Sequence, residues 1–200
     1  MTRSIITSTV AAAALLLMAG TASAQNASGT ITINGSVASK CTVTAGGTAG
    51  AFDATVNLNE LADADGTLRD NLVSTTAAVG AFENTFSLRC TGSNANVSVT
   101  ANPMLGNSAD TPPAGYTKTI HLTGRAEFDR VGTNSTELVV EDGSLVAGAT
   151  TGSFGAGNFL ANTNNNVRVS VYGFNTTDPA ALLLAGAYVG TVVVVVGPTA

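Results

Sequence analysis

Hydrophobic and polar residues alternate one by one through much of this chain of 200 residues. The alternation is clearest in the segments "NTFSLRC", "NVSVT", "YTKTIHLTG" and "NVRVSVYGF". Because successive side chains of a β-strand point to opposite faces, this pattern predicts strands with one buried face. Gly, Asn, Asp and Pro fill the intervals, as they do in turns. The pattern therefore predicts an all-β protein built of many short strands.

Two of the intervals have more specific signatures. "ELVVEDGSLV" carries Asp142-Gly143 between two apolar pairs, which predicts a two-residue hairpin turn with glycine at a positive φ. "NPMLGNSADTPPAG", residues 102–115, predicts a long surface loop because it is rich in proline, glycine and short polar residues.

Helical periodicity is nearly absent. "NELADADGTLRDNLV" is interrupted by Gly66 and predicts no more than a turn or two. "DPAALLLAG" predicts one short helical turn, with Asp178 as its cap and Pro179 at its first position. Neither segment changes the class, so we expect a single β-sandwich domain.

An alternating stretch, "GTITINGSVASKC" at residues 29–41, lies near the start of the chain. Ile31, Ile33 and Val37 would line one side of an extended strand, while Thr and Asn line the other. Gly35 falls on the apolar side, where it leaves a gap in the stripe. The stretch predicts a strand whose apolar side needs a partner.

The other end of the chain, "YVGTVVVVVGPTA", has no alternation. Its apolar run consists of Val192, Val193, Val194, Val195 and Val196. A continuous run predicts a strand that is buried on both faces or lies between two neighbours. Because an exposed edge of this composition would promote aggregation, we expect something to cover it.

Residues 1–24 have the pattern of a secretory signal peptide. Arg3 gives a positive start, "VAAAALLLMAG" is a short apolar core, and Ala22 and Ala24 occupy the small-residue positions of a cleavage site. An uncleaved anchor is the alternative, although the apolar core is short for a membrane span. Removal would leave about 176 residues, enough for one domain with a substantial core.

The charge of the chain argues against two classes of partner. Removing Arg3 with the signal peptide leaves seven basic residues against 13 acidic ones, a formal net charge of −6. An acidic chain without a basic stripe cannot release the counterions of phosphate groups, so we expect neither nucleic acid nor anionic membrane surfaces as partners. After the signal peptide no apolar run is long enough to predict a membrane span.

Two cysteines, Cys41 and Cys90, predict one disulfide in an exported protein. The chain has no C-x-x-C pattern for redox chemistry, and two thiols with a single histidine make a poor zinc site. Closing a loop of about 50 residues would stabilise the fold by roughly 3–4 kcal/mol.

Candidate catalytic patterns are incomplete, so we expect no enzyme activity. "TGSFG" has Thr151 where a nucleophile elbow needs its first glycine, and no helix is predicted after it. His121 is the only histidine, and it lies on the polar side of a threonine-rich strand, which indicates a solvent-facing residue. "GAGNF" lacks the third glycine of a dinucleotide-binding loop, so no cofactor is predicted.

Metal and modification patterns are equally weak. "DADG" resembles the middle of a calcium loop, but that register places Leu61 and Leu72 at the two anchor positions that need carboxylates. We therefore expect a turn there and no metal. "NVS", "NST" and "NTT" match the N-glycosylation pattern, although such tripeptides arise readily in a chain rich in Asn and Thr.

Three stretches resemble the chaperone–usher pilins, especially the archaic class whose subunits carry the spore coat protein U domain. They are "GTITINGSVASKCTVTA" near the start, "FSLRCTGSNANVSVTA" around the second cysteine and "AGAYVGTVVVVV" near the end. One feature departs from the family pattern: such domains commonly end soon after the last strand, whereas "GPTA" follows it here.

The resemblance implies an immunoglobulin-like sandwich that lacks its final strand. Residues 25–40 would be an N-terminal extension that acts as a donor strand, and residues 41–200 the pilin-type domain. The donor residues would be Ile31, Ile33, Gly35 and Val37. The groove that receives a donor strand would be flanked by Val192, Val193, Val194, Val195 and Val196. Gly35 would match a shallow pocket in that groove.

The resemblance also implies partners and a location. A periplasmic chaperone would fill the groove temporarily, an outer-membrane usher would assemble the subunits, and the donor strand of a further copy or a sister subunit would replace the chaperone. The protein would pass through the periplasm to a surface fibre that serves adhesion or biofilm formation.

Two alternatives remain open. Residues 29–37 could be an ordinary first strand of their own sandwich, with Gly35 at a bulge. The protein could also be a secreted β-sandwich binding domain with a complete fold, for example for carbohydrate, although the absence of Trp and the presence of three Tyr offer little stacking surface.

Overall fold

The computed structural model describes residues 30–48, 51–73, 82–133 and 136–198. The predicted signal peptide, residues 1–24, lies outside the described residues. The chain divides into two compact units, Met1–Ser36 and Val37–Ala200. In the first unit, residues 30–36 are exposed and have no regular secondary structure.

The second unit is an all-β sandwich, as the alternation predicted. Its helical content, among the described residues, is one 3₁₀ turn at Asp70–Leu72. The described strands are β1 (Cys41–Ala45), β2 (Gly47–Thr48), β3 (Ala51–Phe52), β4 (Glu83–Cys90), β5 (Asn96–Gly106), β6 (Tyr116–Thr117), β7 (Thr119–Phe128), β8 (Arg130–Gly132), β9 (Leu138–Gly143), β10 (Thr150–Ser153), β11 (Asn158–Leu160), β12 (Val167–Asn175), β13 (Leu182–Leu183) and β14 (Tyr188–Gly197).

The strands form two layers that share one hydrogen-bonded path. The path runs β1-β4-β12-β7-β5-β10, with β9 added to β7 and β14 added to β5. These pairings are antiparallel. The first layer is β1-β4-β12-β7-β9, the second is β14-β5-β10, and the start of β7 joins them at Met104 and Leu105 of β5.

The core lies between the two layers. In β7 the residues alternate between half-buried and buried. Ile120 and Leu122 face inward as the sequence pattern predicted, and the structure continues the alternation to Ala126 and Phe128. Phe128 meets Phe154 edge to face, with 5.7 Å between the ring centroids. Such aromatic pairs stabilise a core beyond the area that they bury.

The predicted disulfide between Cys41 and Cys90 is confirmed. The two residues are directly opposite each other in the pairing of β1 with β4, and their Cα atoms are 4.1 Å apart. The bond therefore joins the first residue of β1 to the last residue of β4.

The predicted hairpin at Asp142-Gly143 is wrong. β9 continues through Gly143 and pairs with β7, whereas β10 crosses to the other layer and pairs with β5. Asp142 is buried, and its carboxylate accepts hydrogen bonds from the backbone N–H of Ala101 and from the hydroxyl of Thr150, both at 2.8 Å. The aspartate thus links the layers instead of forming a tight turn.

The predicted loop at residues 102–115 is also partly wrong, because β5 extends to Gly106. Pro103, which signalled a loop, lies where the register of β5 against β14 shifts by one residue. Prolines are tolerated at such bulges because no ladder hydrogen bond is required there. Gly190 lies opposite, and a Cβ at that position would be 2.7 Å from Met104 Cγ.

The two weakly helical segments form turns. Ala62 and Leu68 make an isolated bridge around the turn that contains Gly66. The helical turn predicted at Asp178 is a hydrogen-bonded turn, in which Ala180 N–H donates to the Asp178 carboxylate at 3.0 Å. The following Leu182–Leu183 is strand β13, parallel to β6, because sheet pairing outweighs a weak local helix signal.

Candidate functional site

The last strand, β14, lies at an edge of the sandwich. It pairs with β5 from Tyr188 to Gly197, and no other described strand pairs with it. An edge strand leaves a row of backbone N–H and C=O groups available to a further strand. β14 is therefore a template for strand addition along its whole length.

The valines of β14 alternate in exposure. Val192, Val194 and Val196 are half-buried and pack against the core, whereas Val193 and Val195 are 47 % and 56 % exposed. The prediction that this run is buried on both faces or lies between two strands is thus wrong for the chain by itself. The composition indicates a strand that prefers burial, but it does not indicate whether a segment of the same chain buries it.

A groove of about 780 Å³ opens beside β14, between this strand and residues 53–58. Its floor is formed by side chains of both layers, most of which belong to the core: Val43, Phe86, Leu88, Met104, Leu122, Val169, Val171 and Phe174. Asp53 is the one charged residue among the described residues that line it. The groove is therefore an opening into the apolar core, along one side of the sandwich.

Residues 53–58 form the wall opposite β14, and no described strand pairs with them. Val56 and Leu58 are half-buried, and Thr55 and Asn57 are exposed. The sequence pattern did not predict this wall, because "TVNLN" is short and contains only two apolar residues. The signal that could have found it is the same period of two, over five residues.

A second recess of about 690 Å³ continues from one end of the groove. The two share Val56, Leu58 and Tyr188 among their lining residues. The Tyr188 hydroxyl donates a hydrogen bond to the Leu184 carbonyl at 2.8 Å, and burial raises the pKa of this phenol. The phenol thus adds no charge to this end of the groove, and Glu60 is the one charged residue among the described residues that line the recess.

Charged groups gather instead on the outer face of the first layer. Arg168 on β12 is within ion-pair distance of Glu127, Asp129 and Glu137. The hydrogen bond to Glu127 is the main cause of the raised pKa of this guanidinium group. The groove and this outer face are thus chemically distinct surfaces.

The predicted donor-strand residues lie in extended chain without strand pairing. Residues 30–40 have no regular secondary structure, and Ile31, Ile33 and Val37 are 88 %, 90 % and 81 % exposed. A Cβ added to Gly35 would meet no atom within 4 Å. The strand predicted at residues 29–37 is therefore not formed in the described part of the chain, and its role stays a prediction.

A clamp holds the chain just before β1. The Thr91 hydroxyl donates to the Ala38 carbonyl and accepts from Lys40 N–H, both at 3.0 Å, while Thr91 N–H donates to the Lys40 carbonyl at 2.9 Å. A Cβ on Gly92 would lie 2.2 Å from the Ser39 hydroxyl oxygen. No sequence pattern predicted the roles of Thr91 and Gly92. The signal that could have found Thr91 is the predicted disulfide, because a register that pairs Cys41 with Cys90 pairs Lys40 with Thr91 one residue further on.

The residues of the weak catalytic and calcium-loop patterns make hydrogen bonds within the fold. His121 is half-buried, with Nδ1 3.3 Å from the Ser144 carbonyl oxygen. Ser153 donates its hydroxyl to Asn94 at 3.2 Å. Asp65 lies in a turn, where hydrogen bonds from the Thr67 hydroxyl and backbone lower the pKa of its carboxyl group.

The described residues lack two further features. They contain no group of three or more His, Cys, Asp or Glu side chains placed to hold a metal ion. No helix in the same part of the chain is long and apolar enough to cross a membrane.

Comparison with known proteins finds no relative: no family model matches the chain, and no curated protein or solved structure is significantly similar to it.

Proposed function

We propose that this chain is a structural subunit of a secreted surface fibre, in which the groove beside β14 of one subunit receives residues 29–37 of the next. The mature chain passes through the periplasm, where a chaperone fills the groove before an usher assembles the subunits. The observation that carries the proposal is the open apolar groove along β14, which pairs with β5 on one side and with no described strand on the other. The pilin resemblance of the sequence supports the same function.

The dimensions of the groove and the stretch agree. β14 contains 10 residues, which span about 33 Å at roughly 3.3 Å per residue. Residues 29–37 would span about 30 Å in the same conformation. A strand of this length can hydrogen-bond along nearly all of β14, and β-strand addition gains much of its affinity from such main-chain bonds.

The chemistry of the two surfaces also agrees. The inward valines of β14 recur every two residues. The positions on one side of the stretch have the same interval: Ile31, Ile33, Gly35 and Val37. One face of the inserted strand would therefore cover these valines. Each side chain that becomes fully buried contributes roughly 1.5–3 kcal/mol. The outward side of the stretch is polar, which suits a strand that completes a sandwich facing water.

Polymerisation of matched variants tests the proposal. The mature chain is produced with its chaperone and usher as Ile33→Asp and, separately, as Thr32→Asp. The first substitution places a carboxylate against the apolar groove, whereas the second places it on the solvent side. We expect both variants to fold, Thr32→Asp to form fibres and Ile33→Asp to stay unassembled.

Two results would contradict the proposal. If Ile33→Asp does not fold even with the chaperone, the stripe belongs to the core of its own subunit. If Ile33→Asp assembles as well as Thr32→Asp, residues 29–37 do not enter the groove, and a complete secreted binding domain becomes the better description.

A further inference from the structure

Asn34 and Gly35 form the only Asn-Gly pair in the sequence. Both residues are exposed and lie outside regular secondary structure. The space around Gly35 is open, since a Cβ there would meet no atom within 4 Å. The pair thus combines the most reactive sequence for an asparagine side chain with an unhindered backbone.

We propose that Asn34-Gly35 is a site of spontaneous deamidation through a cyclic imide. The backbone nitrogen of Gly35, after losing its proton, attacks the side-chain carbonyl carbon of Asn34. A new C–N bond closes the ring, and the side-chain nitrogen leaves as ammonia. Water then opens the imide at either carbonyl, which gives aspartate or isoaspartate. The reaction needs no oxidant, reductant or second protein.

Glycine is what makes this position reactive. Without a Cβ, Gly35 does not shield its own nitrogen, and its backbone reaches the bent conformation that ring closure requires. In a paired strand the backbone is extended, so the Gly35 nitrogen is held away from the Asn34 side chain.

Two other pairs in the fold, Asn107-Ser108 and Asp142-Gly143, also place a short polar side chain before a small residue, but their side chains are held by hydrogen bonds that oppose ring closure. The Asn107 side chain precedes Ser108 but accepts a hydrogen bond from Ala187 N–H at 3.0 Å. In the Asp142-Gly143 pair the carboxylate is buried and accepts two hydrogen bonds. Reactivity at Asn34 therefore follows from its surroundings as well as from its sequence.

The consequence for assembly rests on the proposed function. Isoaspartate adds a methylene group to the main chain, so Val37 would lose its phase with Ile31 and Ile33. Aspartate adds a charge on the polar side of the stretch and leaves the phase unchanged. Deamidation to isoaspartate would thus inactivate an unassembled subunit, whereas pairing in a fibre would protect the site.

The chemistry is tested on the free mature chain, kept in mildly alkaline buffer and mapped by proteolysis and mass spectrometry. An isoaspartate-specific methyltransferase serves as the second probe. We expect the modified fraction of the peptide containing Asn34 to rise with time and with pH. Gly35→Ala should lower the rate by an order of magnitude or more, and Gly29→Ala should leave it unchanged. The proposal is contradicted if Asn34 stays unmodified, or if Asn34 deamidates at the same rate in Gly35→Ala as in the parent chain.

Assembled fibres in the same buffer separate this inference from the proposed function. Protection of Asn34 in fibres, with modification in the free chain, supports both. Modification at the same rate in fibres supports the site and contradicts the insertion of residues 29–37 into a groove. A free chain that stays unmodified overturns the inference whatever the fibres show.

Discussion

Gly124 of β7 and Val192 of β14 lie in direct contact across the core. A Cβ at Gly124 would stand 2.7 Å from Val192 Cγ1 and 2.8 Å from Cγ2. Because real Cβ atoms do not approach so closely, the glycine sets how near β14 lies to β7, and so it sets one wall of the groove.

Gly124→Ala should displace β14 and destabilise the fold. Overpacking of this kind costs about 1–3 kcal/mol in the free energy of unfolding, measured by urea denaturation. Gly143→Ala in the adjacent strand is the matched control, because a Cβ there would meet nothing within 4 Å. Equal unfolding midpoints for the two variants would show that β14 does not depend on Gly124.

Asp142→Ala should destabilise the link between the layers. The substitution leaves the buried N–H of Ala101 without its acceptor, and a buried group left unsatisfied costs about 1–3 kcal/mol. The Thr150 hydroxyl also loses its acceptor, but this residue is exposed and water can replace it. Denaturation of Asp142→Ala is compared with that of Asp110→Ala, an exposed position. A loss below about 0.5 kcal/mol would contradict the linking role, since that is the range of ordinary surface substitutions.

Stability should fall as the pH rises through the alkaline range. Burial raises the pKa of Tyr188 above 10, and burial is likewise the main cause of the raised pKa of Tyr172. As the pH rises above 10, the tyrosines of the unfolded chain lose their protons at a lower pH than those of the folded chain, so alkaline pH favours unfolding. The contribution is fully present below pH 10 and is lost as the pH passes the folded pKa values.

Tyr188→Phe isolates one of the two groups. The variant loses the hydrogen bond to Leu184 at every pH, but its unfolding free energy should fall less between neutral and alkaline buffer than that of the parent. Tyr116→Phe, at an exposed position, is the control. An identical alkaline decrease in Tyr188→Phe and the parent would contradict the assignment.

The receiving side of the groove can be tested without a fibre. A labelled peptide of residues 29–37 should bind the mature chain, and Val194→Asp should abolish the binding because a charge would face the apolar groove, at a cost of several kcal/mol. Val193→Asp changes a side chain that is 47 % exposed, and this variant should retain more of the binding. Fluorescence polarisation measures the binding, and circular dichroism checks that both variants fold. Binding to a folded Val194→Asp chain would contradict the groove as the receiving site.

Local alternation was enough to predict the fold class. Inward residues such as Ile120 and Leu122 follow from the period of two, and the disulfide follows from two cysteines in a chain with a predicted export signal. The hairpin at Asp142-Gly143 was wrong because its partner strand lies in the other layer. The choice of a partner strand depends on contacts between residues that are far apart in the sequence, such as the hydrogen bond from Ala101 N–H to Asp142. No short segment of the sequence contains such a contact.

Of the two walls of the groove, one could be predicted from the sequence. The valine run marked β14 as a strand that prefers burial, although the prediction that it is buried on both faces or lies between two strands was wrong. Residues 53–58 form the opposite wall without strand pairing, so neither their length nor their composition distinguished them from a loop. Thr91 and Gly92 act through contacts with Ala38, Ser39 and Lys40, which are visible only once Cys41 is placed beside Cys90.

The disulfide and the clamp beside it determine how the domain responds to a mechanical load. Tension applied to the N-terminal stretch enters the large unit at residues 38–40 and reaches Cys41. From there a covalent bond passes it directly to Cys90 at the end of β4, whose other half pairs with β12. The load is thus shared between two strands, and the short ladder of β1 does not have to bear it alone.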